Sequence, residues 1–200
     1  QASSHSREQM FDAEIAVAED GRILGVKADV IGDVGAYSIY PWTATIEPVQ
    51  VVSFLPGPYR IANYAARVRA VATNKTLTGA YRGVGRPISV FVMDRLLDIA
   101  ARKIGMDPAE IRRRNLVNDD EFPYKAASGL VWDKSAFQAC LREAADGIGY
   151  DELRREQAAA RADGRWVGIG VACYAELTGV GSRIAVAPGM PINTGTETCN

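Results

Sequence analysis

Arg86-Pro87-Ile88-Ser89-Val90-Phe91-Val92-Met93-Asp94-Arg95-Leu96-Leu97-Asp98-Ile99-Ala100-Ala101-Arg102-Lys103-Ile104-Gly105 is the stretch on which the reading of this chain turns. Ile88, Phe91, Val92, Leu96, Ile99 and Ala100 recur in it at helical spacing with charged residues between them, which predicts an amphipathic helix of about four turns. Pro87 suits its first turn and Gly105 its end. Immediately downstream, Asp107-Pro108-Ala109-Glu110 supplies a cap, a first-turn proline and a glutamate three residues on, so a short basic helix follows over 111–117. Helical spacing returns over 134–145 and 151–162, and the apolar runs at 166–174 and 183–186 read as strands.

Upstream the period is two. Phe11, Ala13, Ile15 and Val17 alternate with polar residues, Glu19-Asp20-Gly21-Arg22 interrupts them, and an apolar run resumes over 23–30, which predicts a β-hairpin. Residues 31–58 carry Gly32, Gly35, Pro41, Pro48, Pro56 and Pro58 among Tyr37, Tyr40, Trp42 and Phe54, and read as short strands or buried loop. The aromatics there suit either a core or a substrate wall. Residues 66–72 alternate again, as a half-buried strand. The order of strands, loop, strand, helices and strands indicates an α+β fold and argues against a doubly wound sheet.

Composition narrows the function. With 48% hydrophobic and 24% charged residues the chain can bury a core, and 23 basic against 24 acidic side chains leave a net charge of −1. No bulk positive field exists for nucleic acid or an anionic membrane. Cys140, Cys173 and Cys199 are widely spaced, and with the single His5 they offer neither a disulfide framework nor a metal site, so no metal ligand is expected from the side chains. No apolar run approaches the ~20 residues of a membrane span, and residues 1–7 lack the order of a signal peptide. The start without Met and the stop at Asn200 are expected of a portion of something longer.

The densest chemical signal is Thr78-Gly79-Ala80-Tyr81-Arg82-Gly83-Val84-Gly85-Arg86-Pro87, between a strand and a helix. Its glycines let backbone approach a ligand, the helix start favours an anion, and Arg82 and Arg86 carry forked donors for oxyanions. A glycine-rich structural turn is the plainer account of the spacing, because the dinucleotide fingerprint and the phosphate-loop Lys-Ser/Thr are missing. A nucleotide- or phosphate-binding module built on Gly83, Gly85 and the following helix, or a non-catalytic interaction domain, therefore stay open. Elsewhere Glu47, Glu176 and Glu197 are candidate site carboxylates but read rather as solvated loop carboxylates, Arg112, Arg113 and Arg114 are a candidate anionic-partner site but read rather as a solvated helix face, and Cys173 reads as a small buried hydrophobe rather than a redox thiol.

The wider wording carries a resemblance. Residues 80–87, then Asp94-Arg95-Leu96 and Ala100-Ala101, then residues 105–116 closely resemble the molybdopterin-binding large subunit of the xanthine dehydrogenase/aldehyde oxidase family of molybdenum hydroxylases. Residues 2–8, Asp33-Val34-Gly35-Ala36-Tyr37 and Gly168-Ile169-Gly170-Val171-Ala172 are similar to that family's segments in the same order, so the resemblance covers nearly the whole chain. It implies a fragment of one molybdopterin-binding domain, with 1–86 mainly strands and loops, 87–163 mainly helices and 164–200 strands. It implies an oxidoreductase that hydroxylates an aldehyde, an N-heterocycle or a similar small substrate with oxygen from water. Ala80, Tyr81, Arg82 and Gly83 would face the cofactor, molybdopterin or its cytosine dinucleotide with molybdenum, and Val84 and Gly85 the substrate.

Glycine at 83 stands where the copper-containing carbon monoxide dehydrogenases have a cysteine, so the chain resembles the copper-lacking, carbon-monoxide-dehydrogenase-like/aldehyde oxidase branch. Val84 replaces an aromatic of the purine-oxidising branch, and residues 47–55 lack that branch's arginine, so purine specificity is not carried over. Ile88 departs from the acidic or amide residue of relatives. The family's glutamate base and Gly-Gln-Gly segment have no counterpart here, so no catalytic residue is expected within these residues. Iron–sulfur clusters and FAD would lie on partner subunits or domains of a homo- or hetero-oligomer, in the cytoplasm or the periplasm.

Overall fold

A computed structural model describes residues 5–38 and 43–176, together with the backbone of Ile184–Ala187 and Met190–Ile192. Strands β1 (Gln9–Val17) and β2 (Ile23–Gly35) form the expected antiparallel hairpin, with Gly21 at φ +84 in the turn. β3 (Tyr64–Ala72) pairs with the other edge of β2 in parallel, Val30 opposite Val68, giving the order β1-β2-β3. A parallel neighbour needs a crossover, and helix α1 (Ile46–Phe54) supplies it. Residues 31–58 therefore contain a helix and the second half of β2, where short strands or loop were expected. Pro48 is tolerated because it sits in the first turn, where its missing N–H leaves no bond unmade. The buried face of α1 is Ile46, Glu47, Gln50, Val51 and Phe54, helical in period but with polar members that hide it from an apolar count.

Helix α2 (Arg86–Ile104) covers the sheet and ends at Gly105, left-handed at φ +69, whose N–H bonds Ala101 and Arg102 carbonyls. Its packed face differs from the expected one. Met93, Leu97 and Ala101 are buried with Val92 and Ala100, while Phe91 is 71% and Ile99 46% exposed. Helix α3 (Pro108–Asn115) begins as expected, the Asp107 carboxylate accepting the Ala109 and Glu110 N–H groups at 2.7 and 3.2 Å, and stops two residues early at Asn115. Arg113 and Arg114 are exposed, but Arg112 is fully buried, which corrects the solvated-face reading. Its guanidinium bonds Asp94 Oδ1 at 2.7 Å, Asp98 Oδ1 at 2.9 Å and the Pro108 carbonyl at 2.8 Å, and Tyr59 donates to the same Asp94 oxygen at 3.0 Å. Two carboxylates and a carbonyl compensate the burial of the charge.

Beyond α3 lie the short pair β4 (Tyr124–Lys125) and β5 (Val131–Trp132), helices α4 (Phe137–Ile148) and α5 (Tyr150–Ala162), and the pair β6 (Ile184–Ala187) and β7 (Met190–Ile192). Residues 166–174 form no strand: a strand exists only with a ladder partner, and among the described residues none lies alongside. The segment is tied instead by Val167 O to Gln157 at 2.7 Å and by the Cys173 N–H to Asp94 at 3.3 Å. Cys173 is half-buried against the core, and burial pushes its thiol up to about 11, in keeping with an inert apolar role. The sheets and the helices together make a mixed α+β fold, and no helix among the described residues is long and apolar enough to cross a membrane.

Candidate functional site

The loop 78–86 joins β3 to α2 and takes its shape from two neighbours and from bonds of its own. At its entry, residue 5 runs alongside: His5 N–H donates to the Leu77 carbonyl at 2.9 Å and Gly79 N–H to the His5 carbonyl at 3.0 Å. At its apex, Val84 N–H closes a turn on the Tyr81 carbonyl at 2.7 Å and Arg86 N–H bonds the Gly83 carbonyl at 3.0 Å. At its exit, Gly85 lies against α1 so closely that a β-carbon would meet Val51 N at 2.5 Å and Glu47 O at 2.6 Å. Gly85 is thus glycine for packing. Gly83 is glycine for conformation, at φ +80 with Pro87 Cγ 2.9 Å from the place of a β-carbon.

Strain gathers here. The non-glycine residues with positive φ among those described are Arg7 at 68°, Thr43 at 60° and Val84 at 47°. Val84 is in the loop, Arg7 contacts it, and Thr43 leads into α1. A β-branched residue in that region is costly, by about 1–3 kcal/mol, and persists only where the surroundings over-determine it, most often at functional sites.

Ala80, Tyr81 and Arg82 are exposed, Gly83 and Val84 half-buried, and Gly85 buried. The six residues singled out in the sequence thus lie together, with the first three open to solvent. The Arg82 guanidinium lies 5.8 Å from the Tyr81 ring centroid and has no hydrogen-bond or ion-pair partner among the described residues, whereas Arg86 is buried, stacks on Phe54 at 4.3 Å and pairs with Glu176 at 3.1 Å. Burial lowers the Arg86 pKa and Glu176 supports its charge. Phe54 is therefore a wall for Arg86. Tyr37 is 75% exposed, while Tyr40, Trp42, Glu197 and Cys199 lie outside the described residues.

Beside the loop, on α1 and at its entry, are buried polar groups, of which the sequence reading preferred a solvated role for Glu47 and missed Gln50. Glu47 is 2% exposed, not solvated: its Oε1 accepts the Arg7 N–H at 2.8 Å, its Oε2 has no partner among the described residues, and burial raises its pKa. Gln50 Oε1 and Thr78 Oγ1 are likewise buried without a partner among the described residues. Glu47 and Gln50, one helical turn apart on α1, were findable as polar residues on a helical face.

Polar atoms left unsatisfied at a buried place cost free energy and call for a water or a ligand to complete them. An exposed arginine, unpaired among the described residues, beside a strained glycine turn suits an oxygen-rich anion, and the unpartnered oxygens of Glu47, Gln50 and Thr78 suit a ligand that also bears N–H groups. A pterin dithiolene with a phosphate carries both kinds of group and brings its own sulfur ligands for a metal, so the residues present fit molybdopterin.

The comparisons with known proteins agree. The sequence profile of the molybdopterin cofactor-binding domain matches residues 1–116. The chain is 35% identical to the 6-hydroxypseudooxynicotine dehydrogenase complex subunit gamma of Paenarthrobacter nicotinovorans, covering 90% of this chain and 23% of that one. It is 34% identical to the carbon monoxide dehydrogenase large chain of Hydrogenophaga pseudoflava, with the same coverage. The fold superposes on quinoline 2-oxidoreductase from Pseudomonas putida 86 with a TM-score of 0.85 at 35% identity, over 91% of this chain and 23% of that one. The chain thus spans 23% of the length of these two curated relatives. With the profile match running over the hairpin, α1 and the whole loop to the end of α3, the chain belongs to the molybdopterin cofactor-binding domain family.

Proposed function

We propose that these residues are part of the large subunit of a molybdenum hydroxylase, an oxidoreductase that inserts oxygen from water into an aldehyde, an N-heterocycle or a similar small substrate. The observation that carries this reading is the loop 80–85, strained at Val84 and packed on α1, whose Glu47 and Gln50, like Thr78 at the loop's entry, carry buried oxygens without a partner among the described residues. When bound, molybdopterin, here proposed as its cytosine dinucleotide, supplies two-electron redox chemistry that no side chain offers. The chain's part is orientation and charge. Ala80, Tyr81, Arg82 and Gly83 face the cofactor, with Arg82 presenting a fixed fork of donors to its oxyanions. Val84 forms the substrate side, a small apolar surface in place of a stacking aromatic, with Gly85, assigned to that side from the sequence, packed behind it on α1.

The relatives' names support the rest of the picture. One is a subunit of a dehydrogenase complex and another a large chain, which suits electron exit through iron–sulfur and FAD-binding partners. We place the assembled protein in the cytoplasm and the 200 residues within one molybdopterin-binding domain.

The test is Arg82→Ala and Arg82→Lys in the full-length subunit, with molybdenum content and kcat per bound metal measured together. Arg82→Ala is expected to lower kcat or metal content by about 10²-fold, the usual effect of losing a preorganised donor, and Arg82→Lys by less, since it keeps the charge and loses the fork. Near-normal values of both in Arg82→Ala overturn the assignment of the loop.

A further inference from the structure

The N-terminal segment contributes a side chain to this loop that no motif marks. We propose that Arg7 is a positioning residue for the loop 80–84: its side chain clasps the loop from outside while its backbone is locked to buried Glu47. The inference rests on the cofactor reading above, and its geometry stands on separate contacts.

Three tethers meet at Arg7. Its N–H donates to Glu47 Oε1 at 2.8 Å, its Nη2 donates to the Arg82 carbonyl, and its guanidinium stacks on Tyr81 at 5.1 Å from the ring centroid. The partners lie 40 and 75 residues away in sequence. Arg7 itself is held at φ +68, a conformation an L side chain adopts only under constraint, and the His5 bonds to residues 77 and 79 supply part of it.

The consequence is mechanical. Glu47 is on α1, and α1 backbone also touches Gly85. The loop is therefore anchored to α1 at both ends of its turn, at Gly85 by direct contact and at Arg82 through Arg7. The anchor takes the carbonyl of Arg82 and the face of Tyr81, and leaves the Arg82 guanidinium unpaired among the described residues. A donor that is to meet a bound group must have its backbone fixed before the group arrives, because preorganisation is what makes such donors effective. Arg7 does this from the segment that precedes β1, which is bonded to the loop's entry at His5.

The experiment uses the full-length subunit with Arg7→Ala and Arg7→Lys, and reads amide exchange by peptide, bound molybdenum and pterin, and Tm. Arg7→Ala is expected to raise exchange across 79–85 by about tenfold or more while α2 keeps its protection and Tm stays within ~2 °C, and to lower cofactor content at least twofold. Arg7→Lys, which keeps a cation over Tyr81, should fall between it and the unmodified protein. Unchanged exchange in 79–85 overturns the proposal, as does a loss of protection spread equally over α2, which would make Arg7 a general stabilising residue. If the unmodified subunit holds neither molybdenum nor pterin, the cofactor reading fails, and the exchange comparison still decides whether Arg7 sets the loop.

Discussion

Glu47 illustrates how a buried carboxylate can be costly to the fold. Burial raises its pKa from the ordinary 4.5, so the folded protein binds this proton more tightly than the unfolded chain does. Stability from this group is therefore fully present below about pH 4.5 and is lost as pH rises through the folded pKa. Glu47→Gln keeps a carbonyl oxygen for the Arg7 N–H and removes the charge. It is expected to raise Tm by roughly 2–4 °C at pH 8, with the gain shrinking toward pH 4. Thermal scans at the two pH values check this, and a gain equal at both would mean that charge is not the cause. Such a gain, if it comes with weaker cofactor retention, is the exchange of stability for function expected of a site carboxylate.

At the scale of elements, α3 shows a terminus built by one side chain serving two neighbours. Asp107 caps α3, accepts the Tyr150 hydroxyl at 3.1 Å and pairs with Arg154 at 3.1 Å, so it joins the start of α3 to α5. Loss of a cap of this kind costs about 1 kcal/mol, while a half-exposed ion pair contributes little. Asp107→Ala is expected to destabilise by about 1–2 kcal/mol and Asp107→Asn, which keeps the acceptor oxygen, by less than about 0.5 kcal/mol. Urea unfolding of both variants separates the two contributions, and equal losses would assign the effect to the pair with Arg154. The helix α2 offers a contrast, since Gly85 precedes it without a side-chain cap and its first turn is stabilised by Arg86 and Ser89 bonding back to Gly83 and Gly85.

Across the whole molecule, the ion pair of Arg112 with Asp94 links α3, α2, the Tyr59 turn and the 166–176 segment at one buried point. Because Glu176 at the end of that segment meets Arg86 at the start of α2, the network also fixes what borders the loop. Removing one member of a buried pair leaves the other charge without compensation, at a cost of about 3–5 kcal/mol. Arg112→Met is expected to lose that amount, and Asp94→Asn added to it to recover more than half. A double-mutant cycle from denaturant midpoints measures the coupling, and additive losses would show that the two residues act independently.

What the sequence by itself determined were features with a local cause. The hairpin at Gly21, the cap at Asp107, the end of α2 at Gly105 and the glycine turn before α2 each follow from residues within a few positions of one another, and each is where the residues put it. The tertiary structure alone decided which side of α2 is packed, because Phe91 and Met93 are equally apolar and only the sheet selects Met93. It decided that Glu47 and Arg112 are buried, since burial of a charge depends on partners supplied from 40 residues away in one case and 18 in the other. It also decided the fate of 166–174, whose strand-like pattern lacks a ladder partner among the described residues, and the role of Arg7, which reaches the loop only because the chain folds back past residue 77. Local chemistry is written in neighbouring residues, whereas burial and pairing depend on long-range contacts that no short window contains.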